Sequence, residues 1–140
     1  MPRTPVLSQG KTRVAAGILR DPTGRVLITD RRRAKSMREY WEFPGGKIRS
    51  DESAQDALGR EVAEELGVEV ESCDFLVRLE HDYREFRVEI DFFLVRQWRG
   101  TPSGVEGQAL QWLHLEELSV DTLLPADAPV IDILKQRKRG

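Results

Sequence analysis

Residues 46–68, which read GKIRSDESAQDALGREVAEELGV, decide the fold of this chain. Ser53 and Asp56 have the spacing of a cap at the start of a helix, and apolar residues then recur with helical periodicity. Gly67 is typical of the residue that follows a helix, because glycine adopts the left-handed conformation at little cost. The stretch therefore predicts a helix over residues 54–66, the most clearly marked helix in the sequence.

Three glutamates share one side of this predicted helix. Glu64 and Glu65 follow Glu61 by three and four residues, which is the spacing of neighbours on a helix surface. The apolar stripe beside them consists of Leu58, Val62 and Leu66. Like charges clustered beside a core repel and favour a bound cation, and carboxylate oxygens suit Mg²⁺ or Mn²⁺ better than Zn²⁺. A solvated acidic face is the alternative that the glutamates alone leave open.

The residues around the glutamates form a longer pattern. From Gly46 the stretch reads Gly-x5-Glu-x7-Arg-Glu-U-x-Glu-Glu-x-Gly-U, where U is aliphatic, and it includes Glu52 and Arg60. This pattern resembles the Nudix box, and every specified position is filled. Because so many positions are specified over a short stretch, a chance match is very improbable.

The resemblance extends beyond the box to the MutT-type members of the family. Three further segments are similar to that subgroup: residues 41–47 (WEFPGGK), residues 105–108 (VEGQ) followed by Trp112, and residues 125–129 (PADAP). The similarity covers roughly residues 12–135. It implies hydrolysis of a nucleoside triphosphate to a monophosphate and pyrophosphate, by attack of water on the β-phosphorus.

The resemblance also implies a metal site and a catalytic group. The implied metal is Mg²⁺, and Mn²⁺ can take its place. The implied ligands are the Gly45 carbonyl, Glu61, Glu64, Glu65 and Glu106. Glu52 and Arg60 match the internal pair of the box, in which the arginine orients the loop and its carboxylates. One box glutamate serves as general base, and both Glu61 and Glu64 remain candidates.

Several other side chains are candidates for contact with the substrate. Arg31 matches a phosphate-contacting position of MutT-type enzymes, Arg87 lies near another, and Lys47 is a phosphate or a structural candidate. Residues 31–33 are also a run of arginines, and such runs are often only solvated. Phe43 and Trp41 flank the box, so they are able to stack on a base or to belong to the core.

Asp127 occupies a position that bears on the choice of base. Bacterial enzymes that destroy 8-oxo-dGTP typically carry asparagine there, which both donates and accepts hydrogen bonds. An ionised Asp127 only accepts, which suits an exocyclic amine and favours CTP or 5-hydroxy-dCTP. A buried aspartate that stays protonated donates, which favours 8-oxo-dGTP. A cap of the last helix is the structural alternative.

The leading hypothesis is a MutT-like 8-oxo-dGTP diphosphatase that removes oxidised nucleotides. The alternatives are a pyrimidine triphosphate pyrophosphohydrolase and, in a different class, a non-catalytic Nudix module that senses a ligand. Loss of catalysis usually leaves a carboxylate of the box replaced, and none is replaced in residues 46–68.

The remaining patterns predict an α+β protein with the Nudix fold, in which a mixed β-sheet is sandwiched between helices (α/β/α). The predicted strands cover residues 14–20, 26–29, 68–77, 87–98 and 110–114, with one helical turn over 115–118 and a final helix over 127–136. Residues 21–24 (DPTG) are turn residues, so residues 14–29 are predicted to form a hairpin. Residues 31–40 form a charged loop.

Composition limits the remaining possibilities. A chain of 140 residues fits one domain, here predicted over residues 12–136 between a flexible segment (1–11) and a basic end (137–140). The 22 basic and 24 acidic residues nearly cancel, so we expect neither nucleic acid nor membrane as a partner. We expect a cytoplasmic monomer or weak homodimer that binds a small nucleotide. Cys73 is the one cysteine and is predicted to lie in the core.

Overall fold

The computed structural model describes residues 11–139. Within them the chain forms strands β1 (Lys11–Leu19), β2 (Val26–Asp30), β3 (Trp41–Glu42), β4 (Gly45–Lys47), β5 (Glu69–Asp82), β6 (Arg87–Arg99) and β7 (Leu110–Leu113). The helices are α1 (Ala54–Leu66), a short 3₁₀ helix (Leu115–Glu117) and α2 (Pro129–Arg139). The predicted flexible segment lies outside the described residues except for Lys11, which begins β1.

The strands form two sheets. The first has the order β4-β1-β6-β5 and is mixed, because β1 runs parallel to β6 while the other pairs are antiparallel. The second has the order β3-β2-β7 and is antiparallel. A mixed sheet combined with two helices confirms the predicted α+β class.

The two helices cover opposite faces of the four-stranded sheet. Successive residues of β1 alternate between the faces, so Ala15 packs with the apolar stripe of α1 while Ala16 packs with the cluster that contains α2. The stripe of α1 is fully buried, and so is Val130 of α2. Each buried Leu or Val side chain contributes about 1.5–3 kcal/mol to folding. This burial on both faces is the predicted sandwich of a sheet between helices.

The predicted hairpin over residues 14–29 is wrong. β1 and β2 belong to different sheets and are joined only by an isolated bridge between Arg20 and Val26. The turn over residues 21–24 forms, with the Gly24 N–H donating to the Asp21 carbonyl at 2.9 Å. The pairing differs because β4 and β6 occupy both edges of β1, so the turn carries the chain into the second sheet instead.

Helix α1 confirms the prediction made from residues 46–68. The Ser53 Oγ accepts a hydrogen bond from the Asp56 N–H at 3.0 Å, which satisfies one of the free amides of the first turn. Gly67 ends the helix in the left-handed conformation, at φ 72°, and its N–H donates to the Ala63 carbonyl. The box is therefore held at both ends by local contacts.

The other elements differ from their predictions mainly in length. β5 extends to Asp82 and β6 to Arg99, and α2 begins at Pro129 and not at Asp127. Cys73 is half-buried and packs against the core beneath α1. Among the described residues, neither helix combines the length and the apolar character that a membrane crossing requires.

Candidate active site

Arg60 ties the loop of the box to helix α1. Its Nε and Nη2 donate to the two carboxylate oxygens of Glu52, at 3.0 and 2.6 Å, and Nη2 also donates to the Lys47 carbonyl at 3.0 Å. This two-point contact lowers the pKa of Glu52 to about 2. The predicted internal pair is therefore formed, and it fixes the path of the chain between β4 and the helix.

Arg60 also contacts two of the clustered glutamates. Its Nη1 lies 2.9 Å from Glu61 Oε2 and 3.5 Å from Glu64 Oε1. The Glu61 carboxylate packs so closely on Gly46 that a Cβ at that glycine would collide with it. Glu64 is more exposed, with about half of its side chain accessible. The positive charge of the guanidinium thus partly neutralises these two carboxylates.

Glu65 points away from Arg60 and towards β4. Its Oε1 accepts a hydrogen bond from the Gly45 N–H at 3.4 Å. Burial, and then the nearby carboxylates of Glu42 and Glu61, raise the pKa of Glu65 well above its ordinary value. A half-buried carboxylate beside two others is stabilised by a proton or by a cation.

Two cavities meet at Arg31 and Glu42. An acidic cavity of about 210 Å³ is lined by Glu42, Glu65 and Glu106 together with Arg31 and other residues. An apolar cavity of about 280 Å³ lies on the other side, where Asp127 is among the lining residues. Arg31 and Glu42 line both, so the acidic and the apolar cavity adjoin each other at this ion pair.

The acidic residues fit a divalent cation by their chemistry. Hard carboxylate oxygens are the ligands that Mg²⁺ and Mn²⁺ prefer, and Glu65 is half-buried where a cation would relieve repulsion. Within residues 11–139 no three acidic, histidine or cysteine side chains already converge on one metal-sized point. Binding therefore requires some of these carboxylates to move, and the ligand roles of Glu61, Glu64, Glu65 and Glu106 stay a prediction.

Arg31 is more engaged than a free phosphate-binding arginine. Its Nη1 donates to Glu42 Oε1 at 2.8 Å, Nε to the Met37 carbonyl at 3.2 Å and Nη2 to the Ser36 carbonyl at 3.1 Å. These bonds hold the charged loop over residues 31–40 against β3. A contact between Arg31 and phosphate would therefore replace some of them.

The structure distributes the other predicted phosphate contacts unequally. Lys47 is exposed and lines the apolar cavity. Arg87 lies outside both cavities, at the start of β6, where its Nε is 2.7 Å from Asp82 Oδ1. Its charge is paired within the β5–β6 hairpin, and a contact between Arg87 and the substrate stays a prediction.

Asp127 lies at the bottom of the apolar cavity. It is 3% exposed, and its Oδ2 accepts a hydrogen bond from the Phe43 N–H at 3.0 Å. That is the only hydrogen bond of this side chain among the described residues, so it does not cap α2 with its carboxylate. Burial raises the pKa of Asp127 to about 7.

Phe43 is both a core residue and a wall of the apolar cavity. It is 3% exposed, and its ring meets Phe92 edge to face, with the centroids 6.4 Å apart. Of the two alternatives that its sequence position left open, the core position is observed, and stacking on a base stays a prediction. Its backbone, through the bond to Asp127, also fixes the carboxylate in the cavity.

Several residues that line the cavities carry no motif in the sequence. Tyr83 and Phe86 come from the tip of the β5–β6 hairpin, with ring centroids 5.3 Å apart, and both line the apolar cavity. The Tyr83 hydroxyl accepts a hydrogen bond from the Ala126 N–H at 3.1 Å, which joins the hairpin to the segment that carries Asp127. The presence of two aromatic residues, Tyr83 and Phe86, in one turn is the feature of the sequence that could have indicated a binding surface. Glu42, between the cavities, was also missed.

Comparison with known proteins identifies similar chains. The sequence matches the family described as NUDIX domain over residues 10–134. An 8-oxo-dGTP diphosphatase of Escherichia coli (strain K12) is 36% identical over 126 residues, which are 90% of this chain and 98% of that protein. A CTP pyrophosphohydrolase of the same organism is 35% identical over 119 residues, which are 85% of this chain and 87% of that protein.

A solved structure has the same architecture. The crystal structure of a MutT NUDIX hydrolase from Burkholderia pseudomallei superimposes with a TM-score of 0.79 at 26% sequence identity. The superposition covers 87% of this chain and 96% of that one. Sequence and structure comparisons therefore agree over most of the described residues.

Proposed function

The chain belongs to the NUDIX family of hydrolases, and from this premise we propose that it converts 8-oxo-dGTP to 8-oxo-dGMP and pyrophosphate in a magnesium-dependent reaction. One observation carries the proposal. The acidic cavity that Glu65 lines adjoins an apolar cavity that ends at a buried carboxyl group, Asp127. The first suits a triphosphate with its metal, and the second suits a purine.

The metal would be held by carboxylates of α1 and of the loop after β6. Glu65 and Glu106 line the acidic cavity, and Glu61 and Glu64 project from the same helix beside it. Mg²⁺, or Mn²⁺ in its place, would neutralise the triphosphate and make the attacking water more acidic. Glu52 and Arg60 would keep the loop of the box in place when the metal ion and the triphosphate bind.

A carboxylate of α1 would accept the proton of the attacking water. Glu61 and Glu64 are both candidates, since both project from α1 and neither carboxylate is bonded to a backbone group among the described residues. As Arg31 and Lys47 line the cavities, they would meet the phosphates. Water attacks the β-phosphorus, the bond to the α-phosphate oxygen breaks, and the nucleoside monophosphate leaves with pyrophosphate as the second product.

Asp127 would read the base. Oxidised guanine presents an acceptor at O6 and a donor at N7–H. With a pKa of about 7, Asp127 is protonated in a large fraction of molecules at neutral pH, and its second oxygen then donates to O6. This is the physical reason for placing the oxidised purine first.

A pyrimidine triphosphate is the second candidate. The ionised form of Asp127, also present near neutral pH, would accept from the exocyclic amine of cytosine. The identities to the CTP pyrophosphohydrolase and to the 8-oxo-dGTP diphosphatase are nearly equal, at 35% and 36%, so overall similarity does not separate them. The substrate must be decided by rates.

Pyrophosphate release across a substrate panel tests the proposal. The panel contains 8-oxo-dGTP, dGTP, CTP, dCTP, 5-hydroxy-dCTP and 2-hydroxy-dATP, each with and without Mg²⁺. We expect the highest kcat/KM with 8-oxo-dGTP. Without Mg²⁺ we expect no pyrophosphate release from any nucleotide of the panel. Preference for the cytosine nucleotides would support the second candidate.

Two matched variants show whether the activity arises at this site. Glu64→Gln removes one carboxylate of the cluster, and we expect a loss of at least about 100-fold in kcat. Glu69→Gln is the control, since Glu69 is an exposed residue of β5 outside both cavities. Equal and negligible release by the wild type and Glu64→Gln would favour a non-catalytic, ligand-sensing module.

A further inference from the structure

The loop between β6 and β7 is fastened to the end of α1. The last carbonyls of a helix have no partner within it and must be satisfied elsewhere. Here the Ser103 N–H donates to the Leu66 carbonyl at 3.0 Å, and the Val105 N–H donates to the Glu65 carbonyl at 3.1 Å. The backbone that precedes Glu106 is thus placed by the helix that carries the box glutamates.

The side chain of Gln108 completes this connection. Its Nε2 donates to the Glu65 carbonyl at 2.9 Å, and its Oε1 accepts from the Glu106 N–H at 3.0 Å. Both ends of one amide are used, and each bond goes to the backbone of a residue whose carboxylate is a candidate metal ligand. Neither bond occupies a carboxylate oxygen, so both acidic side chains remain available to the cavity.

The location of the three residues gives this bridge a role. Glu65, Glu106 and Gln108 all line the acidic cavity. Gly104 and Gln108 close the loop so tightly that a Cβ at Gly104 would collide with the Gln108 carbonyl oxygen. The loop is therefore compact, and the amide sets where Glu106 stands relative to Glu65.

We propose that Gln108 is a positioning residue for the metal site, whose side-chain amide fixes the backbone of Glu106 against that of Glu65. This inference rests on the proposed function in one respect, namely that both glutamates bind the metal. Glutamine suits the task because it carries a donor and an acceptor without adding charge. Asparagine is one methylene shorter and does not span both backbone groups from the same position.

The role predicts a particular pattern of defects. Without the bridge Glu106 is less well placed, so metal affinity falls while the nucleoside cavity, which Gln108 does not line, is unchanged. Residues that orient metal ligands commonly change metal affinity by about 10–100-fold. We therefore expect weaker metal binding, nearly normal KM for the nucleotide at saturating metal, and activity that is restored by raising the metal concentration.

Titration of the nucleotide-free protein with Mn²⁺ tests the inference without using activity. Free Mn²⁺ is followed by electron paramagnetic resonance for the wild type, Gln108→Met and Gln108→Asn. Methionine matches the length of glutamine without its amide. Gln111→Met is the matched control, because Gln111 is an exposed residue of β7 that lines neither cavity. We expect at least about tenfold weaker binding for both Gln108 variants and no change for the control.

Thermal unfolding without metal separates positioning from a merely structural role. The Mn²⁺ titration is made well below the melting temperature of each variant, and Gln108→Asn serves if Gln108→Met does not fold. Unchanged Mn²⁺ affinity in a folded Gln108 variant, with or without a lower melting temperature, would overturn the inference, as would a wild type that binds no Mn²⁺. A wild type that binds Mn²⁺ but releases no pyrophosphate would contradict the proposed function alone.

Discussion

At the scale of single residues, two carboxyl groups with raised pKa values dominate the site. Asp127 is buried and bonded to a backbone amide, whereas Glu65 is half-buried beside the carboxylates of Glu42 and Glu61. Burial raises the pKa of both carboxyl groups, but the partner that stabilises each of them differs. Asp127 is accommodated by a proton, and Glu65 by a metal ion or a proton. In the proposed function, the same physical effect would serve base reading at one end of the site and cation binding at the other.

The stability of the protein reports the protonation of Asp127. Its pKa rises from 3.8 in the unfolded chain to about 7 in the fold, so the stability associated with its neutral form is present at low pH and is lost between about pH 4 and 7. Asp127→Asn lacks this loss. Relative to the wild type, we expect the variant to gain about 2.7 kcal/mol between pH 5 and 8 in the free energy of unfolding by urea, which is the part of this loss that falls between pH 5 and 7.

A second aspartate provides the control for that measurement. Asp132→Asn changes an exposed residue of α2, so its difference from the wild type should not follow the same pH window. A constant difference between Asp127→Asn and the wild type from pH 5 to 8 would show that Asp127 is ionised throughout and would remove the argument for a protonated base reader.

The same substitution makes a prediction about catalysis. If protonated Asp127 donates to the base, kcat/KM for 8-oxo-dGTP in the wild type falls about tenfold per pH unit above 7, relative to Asp127→Asn, which donates at every pH. Steady-state rates of both proteins from pH 6 to 9 give this ratio. A ratio independent of pH would instead assign base recognition to other groups.

At the scale of elements, local signals and long-range pairing differ in what they reveal. Helix α1 was predictable to the residue because its cap, its stripe and its terminal glycine are all local. The pairing of β1 with β6 was not, since it joins segments far apart in sequence and displaces the expected hairpin. Strands β3 and β4 are too short to show a periodicity, and exist because β2 and β1 bind their backbones.

Two glycines of the α1 region should respond oppositely to alanine. Gly67 has φ 72°, where a Cβ is strained and would also lie 3.3 Å from Val105, so Gly67→Ala should lower the free energy of unfolding by about 1–2 kcal/mol. Gly59 lies within the helix with open space around it, so Gly59→Ala should raise stability by about 0.5–1 kcal/mol. Urea unfolding of both variants decides; a loss of stability in both would refute this account of the helix end.

At the scale of the whole molecule, the residues of the box could be predicted from the sequence better than the apolar cavity could. The box could be recognised because its residues lie in one contiguous stretch, residues 46–68. The apolar cavity could not, because Tyr83, Phe86 and Asp127 meet only after the β5–β6 hairpin packs against the segment before α2. Arg87 lies outside both cavities, where its partner Asp82 faces it across the hairpin.

Metal binding should stabilise the entire fold. The folded chain gathers the carboxylates and the unfolded chain does not, so Mg²⁺ at 100 times its Kd should raise the free energy of unfolding by about 2.7 kcal/mol. We expect Mg²⁺ to raise the melting temperature of the wild type and of the control Glu69→Gln, and to have little effect on Glu65→Gln. An equal rise in all three proteins would place the stabilising ion elsewhere.

Product analysis in ¹⁸O-labelled water tests the central claim most directly. The wild type is incubated with 8-oxo-dGTP and Mg²⁺, and the products are separated and weighed by mass spectrometry. Attack on the β-phosphorus within the proposed site predicts 8-oxo-dGMP and pyrophosphate, with the label in pyrophosphate and no turnover after chelation of the metal. Release of inorganic phosphate, label in the monophosphate, or turnover that persists without metal would contradict the account.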